Sequence, residues 1–296
     1  MAGSREPNGK RDEECLEEGH RAGYRLRFLF IGRMSVRFSI VTPTLNRMSY
    51  LRECIESVFE QDYEDVEHVI VDGGSTDGTV PMLESLTARY GNKIRWISEA
   101  DRGISDGVNK GFQMVTGDVI NWIGSDDKLA KGALPMVAKY FEENPSALWL
   151  YGSYVMIDGK GGFLQLRKAA EFNYRRFLRT GYICGPSLFV RTELARRVGP
   201  VREDLMYAMD FEWCLRMAGV APPHKLDPVL TYFRWHPGSI SMGRRMVQLD
   251  EGLAISLAYA RNGLERARVI AFNRTMKAMS WVRRLAWRFQ PNGSHS

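Results

Sequence analysis

The stretch GDVINWIGSDD, Gly117 to Asp127, decides the fold. Val119 to Ile123 is a short apolar run of the kind that forms a strand buried on both faces, and two acids, Asp126 and Asp127, follow it almost at once. Upstream, the same arrangement recurs. Phe38 to Thr42, Val66 to Val71 and Ile94 to Ile97 read as three further strands. Between them Leu51, Cys54, Ile55 and Val58 fall at helical spacing, as do Val80, Leu83 and Leu86 after a first turn that holds Pro81. Ile104, Val108 and Phe112 make a third helix face, with Gly107 and Gly111 allowing close packing, and Leu134, Val137, Ala138 and Phe141 a fourth. Strands alternating with helices in this way predict an α/β fold, a mostly parallel central sheet flanked by helices.

Such sheets bind ligands at the carboxyl ends of their strands. The unusual polar residues collect at those ends: Thr42-Pro-Thr44 after the first strand, Asp72-Gly-Gly-Ser after the second, Ser125-Asp126-Asp127 after the fourth. The second half is less regular. Trp149 to Ile157 and Phe163 to Leu166 read as strands about a glycine-rich turn, Phe211 to Met217 as a helix opening with Asp210, and Val229 to Trp235 as a late strand before His236.

The whole chain has 296 residues, of which 44% are hydrophobic, enough for a sizeable core and too many for a disordered chain. The longest nearly uncharged run, Ala147 to Ile157, is too short to span a bilayer, and no secretory leader is expected. The four cysteines (Cys15, Cys54, Cys184, Cys214) are scattered, which suits a reducing, cytoplasmic setting and no disulfide or zinc framework. From Arg261 onward eight Lys or Arg face the single acid Glu265, a surplus that exceeds the net charge of +6 and leaves the body nearly neutral. A nucleic-acid-binding body is not indicated. Residues 1–35 read as a flexible polar arm, with Met34 a candidate start. Residues 36–241 form the catalytic body, divided into 36–127 and 128–241, and 242–296 form a basic helical tail.

Adjacent acids after a buried strand can cap a helix, but two together call for a cation. A hard divalent cation that also holds phosphates fits Asp126 and Asp127. Asp72 reads equally as a turn residue or as a carboxylate accepting a nucleobase N–H. The glycines near Gly73 form neither a dinucleotide fingerprint nor a phosphate loop.

Taken in order, FSIVTPTLNR (Phe38 to Arg47), VIVDGGSTDGT (Val69 to Thr79), DRGISDGVNKG (Asp101 to Gly111) and Gly117 to Asp127 resemble the family 2 glycosyltransferases of GT-A fold, above all bacterial transferases of surface polysaccharide. The resemblance spans Phe38 to Ser241. It implies a Rossmann-like sheet, a nucleotide-sugar donor (UDP- or dTDP-linked), a saccharide or lipid-linked acceptor, a divalent cation (Mn2+ or Mg2+) and inversion at the anomeric carbon. By the same resemblance Pro43, Thr44, Asn46 and Arg47 line the nucleotide pocket and Asp72 holds the base, while Arg102, Asp106, Asn109 and Lys110 lie beside ribose and diphosphate. Asp126 takes the metal-binding place of the family's D-x-D. Gly124 replaces the first acid of that motif, leaving the ribose contact to Asp127, and Gly73 replaces the acid that often follows the base-binding one. The motif Tyr207-Ala-Met-Asp210-Phe-Glu212 matches the acceptor side. There Asp210 is the expected base, with helix capping and Glu212 as the alternatives, and His236 is a candidate metal or diphosphate contact.

Two rivals are weighed. A nucleotidyltransferase would need a glycine-rich basic loop where this chain has Thr42 to Arg47, and a non-catalytic binding protein would be expected to lose Asp72, Asp126 and Asp210. In the tail, Ala278, Trp281, Val282, Leu285 and Phe289 recur at helical spacing, with Arg283, Arg284 and Arg288 on other faces and Trp287 as an interfacial aromatic. This predicts an amphipathic helix lying on an anionic membrane surface. Packing on the core is the alternative.

Overall fold

The computed structural model describes residues 35–240 and 245–288. The expected flexible arm, save Ser35, and the candidate start at Met34 lie outside the described residues, as do Phe289 and the side chains of Val282, Arg283, Arg284, Leu285, Trp287 and Arg288.

The four strands expected in the first half are β1 (Phe38–Thr44), β2 (Val66–Asp72), β3 (Ile94–Ser98) and β4 (Val119–Trp122). They are parallel, in the order β3-β2-β1-β4. The helices between them are α1 (Met48–Phe59), α2 (Thr79–Tyr90) and α3 (Ile104–Met114), followed after β4 by the short β5 (Lys128–Leu129) and α4 (Ala133–Glu143). Thr44 pairs with Asp72, and Asp72 with Ser98, so three loops leave the sheet at one level.

The second half extends the same sheet with mixed direction. It contains β6 (Trp149–Ile157), β7 (Phe163–Arg167), α5 (Tyr174–Thr180), β8 (Leu188–Arg191), α6 (Thr192–Val198), α7 (Met209–Val220) and β9 (His224–Arg234). β8 runs antiparallel to both β4 and β6, β9 runs parallel to β6, and β5 closes the edge antiparallel to β9. Two helices, α8 (Arg245–Tyr259) and α9 (Gly263–Arg288), complete the described chain.

Alternation along the strands sorts the core onto two faces. Val41, Ile120, Val190 and Trp149 face α3, α7 and the tail helices, through Val108, Trp213, Ile255 and Val269. Phe38, Ile40, Val119, Phe189 and Leu150 face α1 and α4, through Val58 and Phe141. Gly111 lets α3 lie flush on the sheet, since a Cβ there would come 2.4 Å from Val41 Cγ1. The first turns of α9 pack on the body through Val269 and Asn273, whereas Met279 and Trp281 are exposed. The tail helix therefore both packs and projects. No helix among the described residues is long and apolar enough to cross a membrane.

Candidate active site

The acids at the end of β4 are held from across the sheet by the last residue of β9. The main-chain N–H of Arg234 donates to Asp127 Oδ1 at 2.8 Å, and its Nε donates to the Asp126 carbonyl at 2.8 Å. The guanidinium is 1% exposed; it pairs with Glu53 Oε2 at 2.7 Å and lies 4.7 Å over the Tyr50 ring. Burial, and then the charge of Asp126, push the Asp127 carboxyl well above the usual carboxylate range, with Arg234 opposing. Asp127 is thus a buried support, and Asp126 is the acid that opens to the cleft. Gly124 is required here: a Cβ would come 2.9 Å from an oxygen of each acid. An acid at this position, as in the family pattern, would need both carboxylates to move.

His236 Nε2 lies 3.0 Å from Asp126 Oδ2. Gly238 N–H donates to its Nδ1 at 3.2 Å, so a neutral ring carries its proton on Nε2 and gives it to the carboxylate. As it stands the ring is a hydrogen-bond partner of Asp126, and it becomes a ligand through Nε2 only as the other tautomer, with its proton on Nδ1 and the Gly238 bond given up. Among the described residues no group of three or more His, Cys, Asp or Glu converges as a metal site. The residues nevertheless fit a hard cation of the Mn2+ or Mg2+ type, because Asp126 offers a carboxylate that is 21% exposed and such ions complete their shells with substrate phosphate oxygens.

These acids face a cleft of about 420 Å3 that Pro43, Thr44, Arg47 and Asp101 also line. Thr44 is 4% exposed, and its hydroxyl has no partner among the described residues. A buried polar atom left unpaired at a cleft wall is a place for a ligand to bond. Asn46, at φ 52°, sits behind this wall, tying the β1 and β2 loops through Ser75 Oγ and the Thr76 N–H. Arg47 donates to the Gly238 carbonyl, closing the cleft against the segment after β9.

The remaining residues expected on the donor side stand back from this cleft. Asp72 is fully buried; one oxygen accepts the Ser75 N–H (2.9 Å) and the Ser98 hydroxyl (2.6 Å), and the other accepts the Ser75 hydroxyl. Asp106 bonds Arg102, which holds its carboxyl well below the usual range, and meets Lys110 at 3.4 Å. Asn109 spends both ends of its amide on the Val201 main chain, fixing the loop that leads to α7. Asp101, inside the third motif but not singled out from sequence, lines the cleft and accepts the Gly103 N–H at 2.9 Å.

On the acceptor side, Asp210 is the second residue of α7 rather than its cap, and its Oδ1 accepts the neighbouring Phe211 N–H at 2.8 Å. Burial raises its carboxyl above the usual range, partly offset by main-chain N–H groups, Phe211 first. Glu212 points elsewhere. It is buried, bonded through both oxygens to Arg216 and by Oε1 to the Tyr259 hydroxyl at 2.6 Å. Asp210 also lines a second cavity of about 720 Å3. Cys184 lines that cavity too, with a thiol that burial pushes well up.

The model of glycosyl transferase family 2 matches residues 39–196, more than half of the chain, and ends before Asp210 and His236. A PGL/p-HBAD biosynthesis glycosyltransferase of Mycobacterium bovis is 31% identical over 177 residues, 60% of this chain and 66% of the relative. An uncharacterized glycosyltransferase of Rickettsia felis is 28% identical over 208 residues, 67% of this chain and 34% of the relative. The matches thus span just under two thirds of the mycobacterial relative's length and about a third of the rickettsial one's. Among solved structures, S. aureus TarS superposes with a TM-score of 0.58 at 20% identity, over 80% of this chain and 70% of that one. The mannosyltransferase PcManGT from Pyrobaculum calidifontis, in complex with GDP-Man and Mn2+, gives 0.58 at 18% identity, over 80% and 68%. The chain belongs to glycosyl transferase family 2 and has the GT-A fold.

Proposed function

We propose that this chain transfers a sugar from a nucleotide-sugar donor to an acceptor hydroxyl, with inversion. The observation that carries this reading is the position of Asp210, which lines both the cleft walled by Thr44 and Asp126 and the second cavity. A donor in the first and an acceptor in the second would meet at its carboxylate.

The acceptor oxygen attacks the anomeric carbon as its proton passes to Asp210, and the bond to the nucleoside diphosphate breaks. The raised Asp210 carboxyl is a stronger base than an ordinary aspartate. Pro43, Thr44 and Arg47 bind the nucleotide, with Asn46 setting their loop. Arg102, Asp106, Asn109 and Lys110 shape the ribose and diphosphate side, and Asp127 keeps Asp126 in place. A divalent cation held by Asp126, with His236 beside it, would neutralise charge on the departing diphosphate. Asp72 holds the base once the Ser75 turn that buries it opens, freeing the oxygen that accepts from the Ser75 hydroxyl. A carboxylate there favours UDP- or dTDP-sugars, whose bases offer a ring N–H. TarS has been solved with UDP-GlcNAc. The acceptor is a saccharide or lipid-linked saccharide in bacterial surface polysaccharide synthesis, and α9 rests on the cytoplasmic face of the membrane by the segment that begins at exposed Met279 and Trp281.

The test is nucleoside diphosphate release from a panel of nucleotide sugars with Mn2+. Release from at least one UDP- or dTDP-sugar, abolished by chelator, supports the reading. No binding and no release across the panel contradicts it.

A further inference from the structure

The second cavity lies between the sheet and the tail. On one side are Phe233 and Trp235 at the end of β9, with Tyr154 and Met156 of β6. The opposite side is supplied by Leu249 and Leu253 of α8 and Phe272 and Met276 of α9, all half-buried. Of the polar side chains on that side, Gln248, Ser256, Asn273 and Ser280, the last three are committed to main-chain carbonyls, Ser280 Oγ donating to that of Met276 at 2.8 Å. Asn273 Nδ2 donates to the Leu249 carbonyl at 2.7 Å, and Ser256 Oγ donates to the Leu178 carbonyl at 2.7 Å. What the helices present to the cavity is therefore largely hydrocarbon.

Charge enters from another direction. Arg167, at the end of β7, and Arg179, in the last turn of α5, also line the cavity. Both are exposed, and neither has a carboxylate partner among the described residues. Against a nearly neutral body, two guanidiniums beside the hydrocarbon wall that the helices supply are complementary to an anionic group on an otherwise apolar molecule.

The tail is also bonded to the loop that carries the base. Glu251 of α8 accepts three successive main-chain N–H groups: Oε1 takes Met206 at 3.0 Å, and Oε2 takes Tyr207 at 2.7 Å and Ala208 at 3.1 Å. These are the free amides just before Asp210, and Ala208, the N-cap of α7, has no side-chain cap of its own. The helix pair thus fixes both the far side of the cavity and the approach to Asp210.

We propose that the α8–α9 pair is the acceptor-selecting half of the site. The acceptor it selects is an anionic amphiphile: a hydroxyl at Asp210, an apolar body along Leu249, Leu253, Phe272 and Met276, and a phosphate or carboxylate at Arg167 and Arg179. Its role as an acceptor site rests on the reading of Asp210 as the base, but binding there can be measured without turnover.

The probe is n-octyl phosphate below its micellar concentration, titrated calorimetrically into the full chain, with neutral octyl glucoside and inorganic phosphate as controls. Saturable octyl phosphate binding is expected, tighter than either control. The double variant Arg167→Gln/Arg179→Gln should weaken octyl phosphate about tenfold and leave octyl glucoside unchanged. Leu253→Asp should weaken both amphiphiles. UDP binding, read on the same samples, should be retained in every variant and reports that the fold is intact. Octyl phosphate binding no tighter than inorganic phosphate, or unchanged in the double arginine variant while UDP still binds, overturns the proposal. If the nucleotide-sugar panel fails while octyl phosphate behaves as expected, the donor reading falls and the amphiphile site stands.

Discussion

Arg234 holds Asp127 by its main-chain N–H at 2.8 Å, so the pair of acids at the end of β4 depends on the last residue of β9. The same side chain bonds the Asp126 carbonyl, the Gly159 carbonyl and Glu53. Arg234→Met removes the guanidinium and leaves those groups short of a donor, a loss of about 1–3 kcal/mol in unfolding free energy. Glu53→Gln should cost less, because Glu53 is 44% exposed and its pair is screened. Denaturant midpoints of the two variants check the order, and equal losses would contradict it.

Asp126→Ala should abolish cation-dependent transfer while the chain stays folded. Asp126 faces the cleft, and its carboxylate carries no packing load comparable to that of buried Asp127. Manganese titration of the variant, followed by turnover and circular dichroism, checks this; full activity in excess chelator contradicts it.

Asp72→Asn should blur the choice of nucleotide. The amide keeps the shape but loses the charge that favours a base N–H. UDP and ADP competing for the cleft should then differ less than in the unmodified chain. An unaltered preference would leave Asp72 as the anchor of the Ser75 turn and nothing more.

α9 exposes Met279 and, at 63%, Trp281, just before a strongly basic stretch of the sequence. Full-length protein should co-sediment with anionic liposomes at low salt, and raised salt should release it. The test is best made by truncation after Ser280, which leaves the packed turns around Val269 and Asn273 in place. Equal sedimentation of the truncated chain would contradict a membrane role for the end of the helix.

The parallel half of the fold was legible because its signals are local. The apolar run Phe38 to Thr42 reports a strand buried on both faces, and helical spacing in Leu51 to Val58 reports one buried helix face. The acids at strand ends were legible for the same reason, since β4 and its loop are contiguous. What escaped were relations between distant segments. Nothing near Arg234 marks it as the support of Asp127, and the strand that carries it was expected to begin five residues later than it does. β8 is only four residues long and was not foreseen, although it joins the two halves of the sheet. The helix of Asp210 was expected to open at that residue. It opens one residue earlier, at Met209, and the main chain leading into it is held by Glu251, some forty residues away, a pairing no local pattern displays. Asn109 fits the donor motif by sequence, yet its amide is spent on Val201.

The central claim is that Asp210 is the base at the meeting of two cavities. Its carboxyl is raised in the folded chain, so the ionised, proton-accepting form is lost as pH falls through that raised value. Activity should therefore decline at a higher pH than an ordinary aspartate would dictate. The decisive measurement is the pH profile of transfer, with UDP binding measured in parallel, for the unmodified chain and Asp210→Asn. The account predicts that the variant binds UDP normally, transfers sugar about 10²–10⁴ times more slowly and loses the acid limb. Transfer by Asp210→Asn at the unmodified rate, with the same acid limb, would contradict it.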